Sequence, residues 1–198
     1  MPRYLRIIWL FLGLASFVTL IGLFLMPTSW QVERSVEIAT PPERVFALLD
    51  DLHAWRSWSP WQESAYQGLV FRYSGPARGV GASMSWDSQA TGDGTLRIDE
   101  SVPPRRLAFS MAFQKGRIEA HDVFALDPLP GGRTRVTWTD HGSLGRTLLG
   151  RLSLPVIEKS MGRDLDRGLS ALAAVAEGRP VPPPAAAAPL ASSAPNAR

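Results

Sequence analysis

Residues 107–138, LAFSMAFQKGRIEAHDVFALDPLPGGRTRVTW, decide the fold, because their apolar residues recur at every second position and the runs are separated by turn signals. Leu107, Phe109, Met111 and Phe113 share one face. Ile118, Ala120, Phe124 and Leu126 share another, with Asp122 among them, and Val136 and Trp138 resume the alternation after Gly131-Gly132. Period two marks half-buried strands joined by hairpins. From about 154 to 176, LPVIEKSMGRDLDRGLSALAAVA, the period changes: Val156, Ile157, Met161, Leu165, Leu169, Leu172 and Val175 follow at steps of three and four, the pattern of an amphipathic helix. Such a stripe must be buried. The sheet offers the apolar surface, so the expected architecture is α+β, a curved antiparallel sheet gripping a long C-terminal helix.

Upstream, shorter alternating runs complete about seven strands. Val32, Val36 and Ile38 alternate with Glu33, Ser35 and Glu37; Leu69, Phe71 and Tyr73 share a face, as do Ala82, Met84 and Trp86; Leu96 and Ile98 follow Gly92-Asp93-Gly94. Between the first and second strands, Thr40-Pro-Pro-Glu43 predicts a helix start, with Thr40 as N-cap and Glu43 as its reciprocal partner. Val45, Phe46, Leu48, Leu49 and Leu52 give that short helix its stripe.

At the N-terminus, no charged residue falls between Ile7 and Gln31, and residues 7–26 are mostly Leu, Ile, Phe and Val. About 20 apolar residues match the ~30 Å of a bilayer core, so residues 1–30 are expected to be an anchor with one transmembrane helix. Tyr4, Trp9 and Trp30 suit its interfacial ends. Arg3 and Arg6 precede the run and the first charges after it are mixed, which predicts a cytoplasmic N-terminus and a domain facing the periplasm or exterior of a bacterial cytoplasmic membrane. A cleaved signal peptide fits less well, because the run is long and Met-Pro-Thr-Ser-Trp offers no small-x-small cleavage site. Residues 179–198 hold six prolines and seven alanines without periodicity, the composition of a disordered or polyproline-like tail. The folded domain is expected over 31–178.

Composition closes off several function classes. The chain of 198 residues is 45% hydrophobic and has no cysteine, which excludes disulfides, thiolate metal sites and a cysteine nucleophile. Its pI near 9.8 comes from the ends: with Arg3, Arg6, Arg179 and Arg198 removed, 17 basic face 18 acidic residues. That balance leaves no footprint for nucleic acid. The histidines His53, His121 and His141 lack metal-ligand spacing, so no metal and no cofactor are expected. Ser143 in His-Gly-Ser-Leu-Gly departs from the nucleophile-elbow pattern.

The order strand, short helix, six strands and long helix is joined by particular residues. They are Val36-Glu-Ile-Ala-Thr-Pro-Pro-Glu-Arg-Val45, Trp55 with Trp58-Ser-Pro-Trp61, Tyr73-Ser-Gly-Pro76, Gly79-Val-Gly81, Trp86 and Gly92-Asp-Gly94. Thr134-Arg-Val-Thr-Trp138, Gly142-Ser-Leu-Gly145 and Gly168-Leu169 follow. Together they resemble the START/Bet v 1-like (SRPBCC) superfamily of helix-grip proteins, and within it the bacterial polyketide cyclase/dehydratase and lipid-transport family, over about residues 31–178. The resemblance implies an internal cavity for a hydrophobic small molecule or lipid. It implies no single reaction, since members share no fixed catalytic set.

Within that frame, Tyr73, Met84, Trp86, Phe109, Met111, Phe124 and Trp138 are the candidate ligand contacts, with plain core packing as the alternative for each. Trp55, Trp58 and Trp61 are candidates for a gate, or for packing under a loop. Asp122 and Asp140 fall on inward faces, where an unpaired carboxylate is costly. Either they pair with Arg34, Arg72 or another arginine or reach solvent, or they serve with Tyr73 as acid/base groups of a cyclase or dehydratase. The expected function is a membrane-anchored carrier or sensor, with binding ahead of catalysis. The other readings are a cyclase/dehydratase-like enzyme and an interaction domain whose cavity is filled by its own side chains.

Overall fold

Strand alternation and helical stripe meet as the sequence predicts. The computed structural model describes residues 2–25, 27–63, 68–88, 92–144 and 147–181. Helix α1 (Arg3–Leu25) leads into β1 (Ser29–Ile38) and α2 (Pro42–Leu49), and a 3-10 turn at Ala54–Ser57 follows. Strands β2 (Arg72–Ser74), β3 (Ser83–Ser88), β4 (Gly92–Val102), β5 (Arg106–Phe113), β6 (Ile118–Leu129) and β7 (Arg133–Ser143) come next, then α3 (Leu148–Ala176). The strands form one seven-stranded antiparallel sheet in the order β1-β7-β6-β5-β4-β3-β2. A shift of register between Ile98 and Glu100 places a bulge in β4, a device that bends a strand. The sheet's concave face takes α3, whose Leu165, Leu169 and Leu172 are buried against it. Burying side chains of that size contributes roughly 1.5–3 kcal/mol each.

Four local features differ from the sequence reading. Helix α3 begins at Leu148, about six residues earlier than expected, with Pro155 inside it. Pro155 suits a first turn and so reads as a start. The helix begins instead where the Thr147 hydroxyl accepts the Gly150 N–H at 3.1 Å. Thr40 does not cap α2, which has Pro41 at its N-cap and no side-chain cap. The Thr40 hydroxyl donates to the Ala176 carbonyl at 3.2 Å, and its own carbonyl accepts the Thr134 hydroxyl at 2.7 Å. A residue read as a local cap thus joins the start of α2 to the end of α3 through its side chain and to β7 through its carbonyl. Trp30 is not an interfacial anchor: it lies in β1 and is 4% exposed. Arg34 partners no inward acid, forming an ion pair with Asp166 of α3 at 3.2 Å.

Helix α1 occupies the run read as an anchor. Among the described residues no helix is long and apolar enough to cross a membrane, and the span expected over 7–26 falls partly outside them. From residue 182 onward the expected tail also lies outside the described residues. The end of α1 is tied to the domain. Arg151 of α3 donates to the Phe24 carbonyl and stands over the Phe24 ring at 5.5 Å, while Ser143 donates to the Thr28 carbonyl at 3.0 Å.

Candidate functional site

The register of the sheet arranges its concave face in rows. One row runs Trp30, Gly142, Ala120, Met111, Leu96, Met84, Tyr73 from β1 to β2. The row beside it runs Ile118, Phe113, Gly94, Trp86. In each row a tryptophan stands opposite a glycine, and the indole spreads over it. A Cβ on Gly142 would stand 2.3 Å from the Trp30 indole, and one on Gly94 would stand 2.2 Å from the Trp86 indole. Each indole therefore lies flat on a glycine, an arrangement no other residue permits without displacing the ring.

Between these rows and α3 is a cavity of about 80 Å³, closed by Ile157 and Met161 of α3, Leu144, and Ser59 and Trp61 of the loop after the 3-10 turn. That space admits roughly six water-sized groups. Met84, Met111 and Met161 stand in the wall, and their unbranched thioethers adapt to guests of different shape. Among the described residues no Asp, Glu, Lys, Arg or His lines it.

One row further in, Val32, Asp140, Asp122 and Phe109 are in register. Asp122 is 1% exposed and Asp140 0%. The Trp138 indole N–H donates to Oδ1 of Asp122 at 2.6 Å, and the Trp30 indole N–H to Oδ1 of Asp140 at 3.0 Å. Both Oδ2 atoms are buried without a partner among the described residues. Burial raises the Asp140 pKa to about 6 against the lowering effect of the Trp30 bond. Asp122 is raised well above the carboxylate range, by burial first and then by the charge of Asp140, with the Trp138 bond opposing. Directly opposite residues in adjacent strands have Cβ atoms ~4.5–5.5 Å apart. One proton held between them turns a pair of orphan acceptors into a donor and an acceptor. Among the described residues no arginine pairs with these acids, and their burial keeps them from solvent.

The other expected site residues divide by position. Met84, Trp86 and Met111 line the cavity, whereas Phe109, Phe124 and Trp138 pack around the 3-10 turn, with Trp55 edge-on to Phe109 at 5.1 Å and Trp58 to Trp138 at 6.1 Å. Trp55 and Trp58 are both buried and donate to the carbonyls of Leu49 and Leu48 at 2.8 and 3.1 Å, pinning the turn to α2. Trp61 alone of these three indoles lines the cavity. Tyr73 lines a separate groove of about 250 Å³ with Leu52, His53 and Ser74. There its ring stacks on His53 at 4.0 Å and its hydroxyl accepts from Arg56 at 3.2 Å. Strands β3, β4 and β5 separate it from Asp122. Sequence reasoning named neither Trp30 as the partner of Asp140 nor Ile118, Leu144, Ile157 and Met161 as cavity wall. Gly142, Ala120 and Gly94 at inward positions were the available signal.

A family model described as polyketide cyclase / dehydrase and lipid transport matches residues 29–177. No curated protein matches. Among solved structures, protein CV1439 from Chromobacterium violaceum is 22% identical with a TM-score of 0.53, covering 76% of this chain and 99% of that one. The Zhui aromatase/cyclase from Streptomyces sp. R1128 is 16% identical with a TM-score of 0.57, covering 75% and 94%. Ara h 8.0201 is 13% identical with a TM-score of 0.55, covering 76% and 99%. At these identities the structural likenesses speak for the fold, which is the sheet and gripped helix described above. Family match and fold agree: the chain belongs to the polyketide cyclase/dehydrase and lipid transport family of the START/Bet v 1-like superfamily.

Proposed function

We propose that this protein is a membrane-tethered carrier or sensor that takes a lipid or other hydrophobic small molecule into the cavity between sheet and α3. The observation that carries the reading is the uncharged, adaptable wall of that cavity, the kind of lining that small-molecule sites use. The tether is α1, inserted in a bacterial cytoplasmic membrane with the N-terminus inside and the domain outside. In support, the end of α1 at Phe24 is held by Arg151 of α3, and Thr28 just after the helix is held by Ser143, near the cavity-lining Trp30 and Leu144 in sequence. Leu152 and Val156, one turn apart at the start of α3, are 51% and 71% exposed, apolar surface that suits a bilayer nearby. A cavity held against a membrane meets lipid at high effective concentration, so modest affinity suffices.

A cyclase or dehydratase reading draws on one observation, the buried acid pair with raised pKa values. The free oxygens of that pair are fully buried one row behind the cavity wall, so binding stands ahead of catalysis. The test is mass spectrometry under native conditions on the full chain, extracted in mild detergent and exposed to a total membrane-lipid extract. A retained lipid or isoprenoid mass is expected. An unliganded mass across lipid and hydrophobic-metabolite extracts would overturn the carrier reading and favour a filled interaction domain.

A further inference from the structure

The outer face of the sheet carries one pair of like residues beside cross-strand neighbours that are complementary. Between β1 and β7, Arg133 and Arg135 each donate to Glu37 at 2.9 Å, and the Thr139 hydroxyl donates to Glu33 at 3.1 Å. On the same face His121 of β6 stands directly opposite His141 of β7. Both residues are exposed, with ring centres 5.4 Å apart and planes inclined by 29°. Two side chains that can each take a positive charge gain little from facing one another, and lose when both are charged. Among the described residues neither ring has a partner besides the other. The chain separates the two as positions 121 and 141, and only the register of the β6–β7 hairpin joins them. Their backbone is firmly placed, since β6 lies between β5 and β7, and β7 between β6 and β1.

We infer that His121 and His141 form a two-imidazole site for a divalent transition-metal ion on the outer face of the sheet, apart from the cavity. The separation of the rings argues for it. Two imidazoles bound to one tetrahedral ion, with each nitrogen ~2.0–2.1 Å from the metal, have ring centres about 5 Å apart. The observed 5.4 Å therefore needs small turns about the side-chain torsions and no movement of the strands. Imidazole selects the class of ion: it suits zinc, copper and nickel, whereas magnesium and calcium take oxygen ligands. Among the described residues no group of three His, Cys, Asp or Glu comes together, so water completes the coordination. Gln31, opposite His141 in β1, and Glu119, two residues before His121 on the same face, border the pair in register. An ion held by both rings also clamps β6 to β7 at the register that sets Asp122 against Asp140 on the inner face.

The test titrates the full chain, in detergent and without an affinity tag of histidines, with Zn²⁺ and with Cu²⁺ by calorimetry. Wild type is compared with His121→Asn, His141→Asn and, as a control, His53→Asn, which alters the remaining histidine of the sequence. One ion per chain is expected, with Cu²⁺ bound more tightly than Zn²⁺ as the order of divalent metals requires. Each of the first two variants should lose roughly 10-fold or more in affinity, because the second imidazole binds as an intramolecular step, and the control should match wild type. Affinity within threefold of wild type in either His121→Asn or His141→Asn would overturn the inference, as would an equal loss in His53→Asn. So would binding to wild type only at millimolar metal, the behaviour of separate surface imidazoles. Should the variants fail to fold, electron paramagnetic resonance of Cu²⁺ on wild type decides. Coupling to two imidazole nitrogens supports the shared site, and coupling to one rejects it.

Discussion

Asp122 and Asp140 face each other across β6 and β7, each with one carboxylate oxygen bonded to an indole and the other buried without a partner. Two full charges in that position would repel in a medium of low polarity, so the folded state holds protons that the unfolded chain releases. Folding raises both pKa values, and an acid raised by folding favours the native state at low pH. Its contribution is complete below about pH 4 and is lost as the pH climbs through the folded value. For Asp140, a rise from 3.8 to about 6 corresponds to roughly 3 kcal/mol at most.

The corresponding prediction concerns Asp140→Asn. An amide accepts from Trp30 as the acid did and offers an N–H toward Asp122, imitating the singly protonated pair. Denaturant unfolding at several pH values should show wild type losing up to about 3 kcal/mol between pH 4 and 7 relative to the variant. Taking the difference matters, because Glu37 and Glu177 are lowered by arginine and backbone partners and slope the other way. Parallel curves for the two proteins would show that the pair titrates as ordinary surface acids do.

Gly142→Ala tests the indole laid on the sheet. The added methyl carbon would stand 2.3 Å from the Trp30 ring and 2.7 Å from the Glu119 carbonyl oxygen, so the ring must leave its place. That displacement stretches the bond to Asp140 and pushes the indole into the cavity. A loss of roughly 1–3 kcal/mol is expected, as for other overpacked sites, together with weaker ligand retention. Unchanged stability in thermal unfolding would mean that Trp30 has room the structure does not provide.

These cases also show what the sequence conveyed. Alternation and period placed the strands, the gripped helix and the inward faces, because burial on one side of a strand is written directly into period two. It also put Asp122 and Asp140 inward. What it did not convey was partnership across strands: that Asp140 meets Asp122 and Trp30 depends on register, which appears only once hairpins close. The same gap explains why Trp55, Trp58 and Trp61, evenly spaced and alike in type, were grouped together. Two bond the carbonyls at the end of α2 and one faces the cavity. Tyr73 shares its row with Met84, yet on the edge strand it borders a different groove.

The tryptophans should accordingly separate in experiment. Trp55→Phe and Trp58→Phe each remove a donor from a buried carbonyl and open space at a core ring. Each should lower stability by roughly 2–4 kcal/mol, with affinity per folded molecule following Trp61→Phe instead. Paired chemical unfolding and lipid-retention measurements on the single variants check this. Strong loss of retention in stable Trp55→Phe protein would return that residue to the cavity mouth.

Ala120→Leu asks whether the cavity exists for a guest. Ala120 is 1% exposed, lines the space, and lies in register between Gly142 and Met111. A leucine there extends into the roughly 80 Å³ void without adding a polar atom. Filling an empty apolar cavity restores contacts, so stability should hold or rise by about 1 kcal/mol, within the range of cavity-filling substitutions. A binding protein would at the same time lose retained lipid. The opposite movement of the two readouts is the informative feature, because general damage to the fold lowers both and a decorative void changes neither. Retention that survives alongside a rise in stability would place the ligand outside this cavity, and the 250 Å³ groove beside Tyr73 would be the next surface to examine.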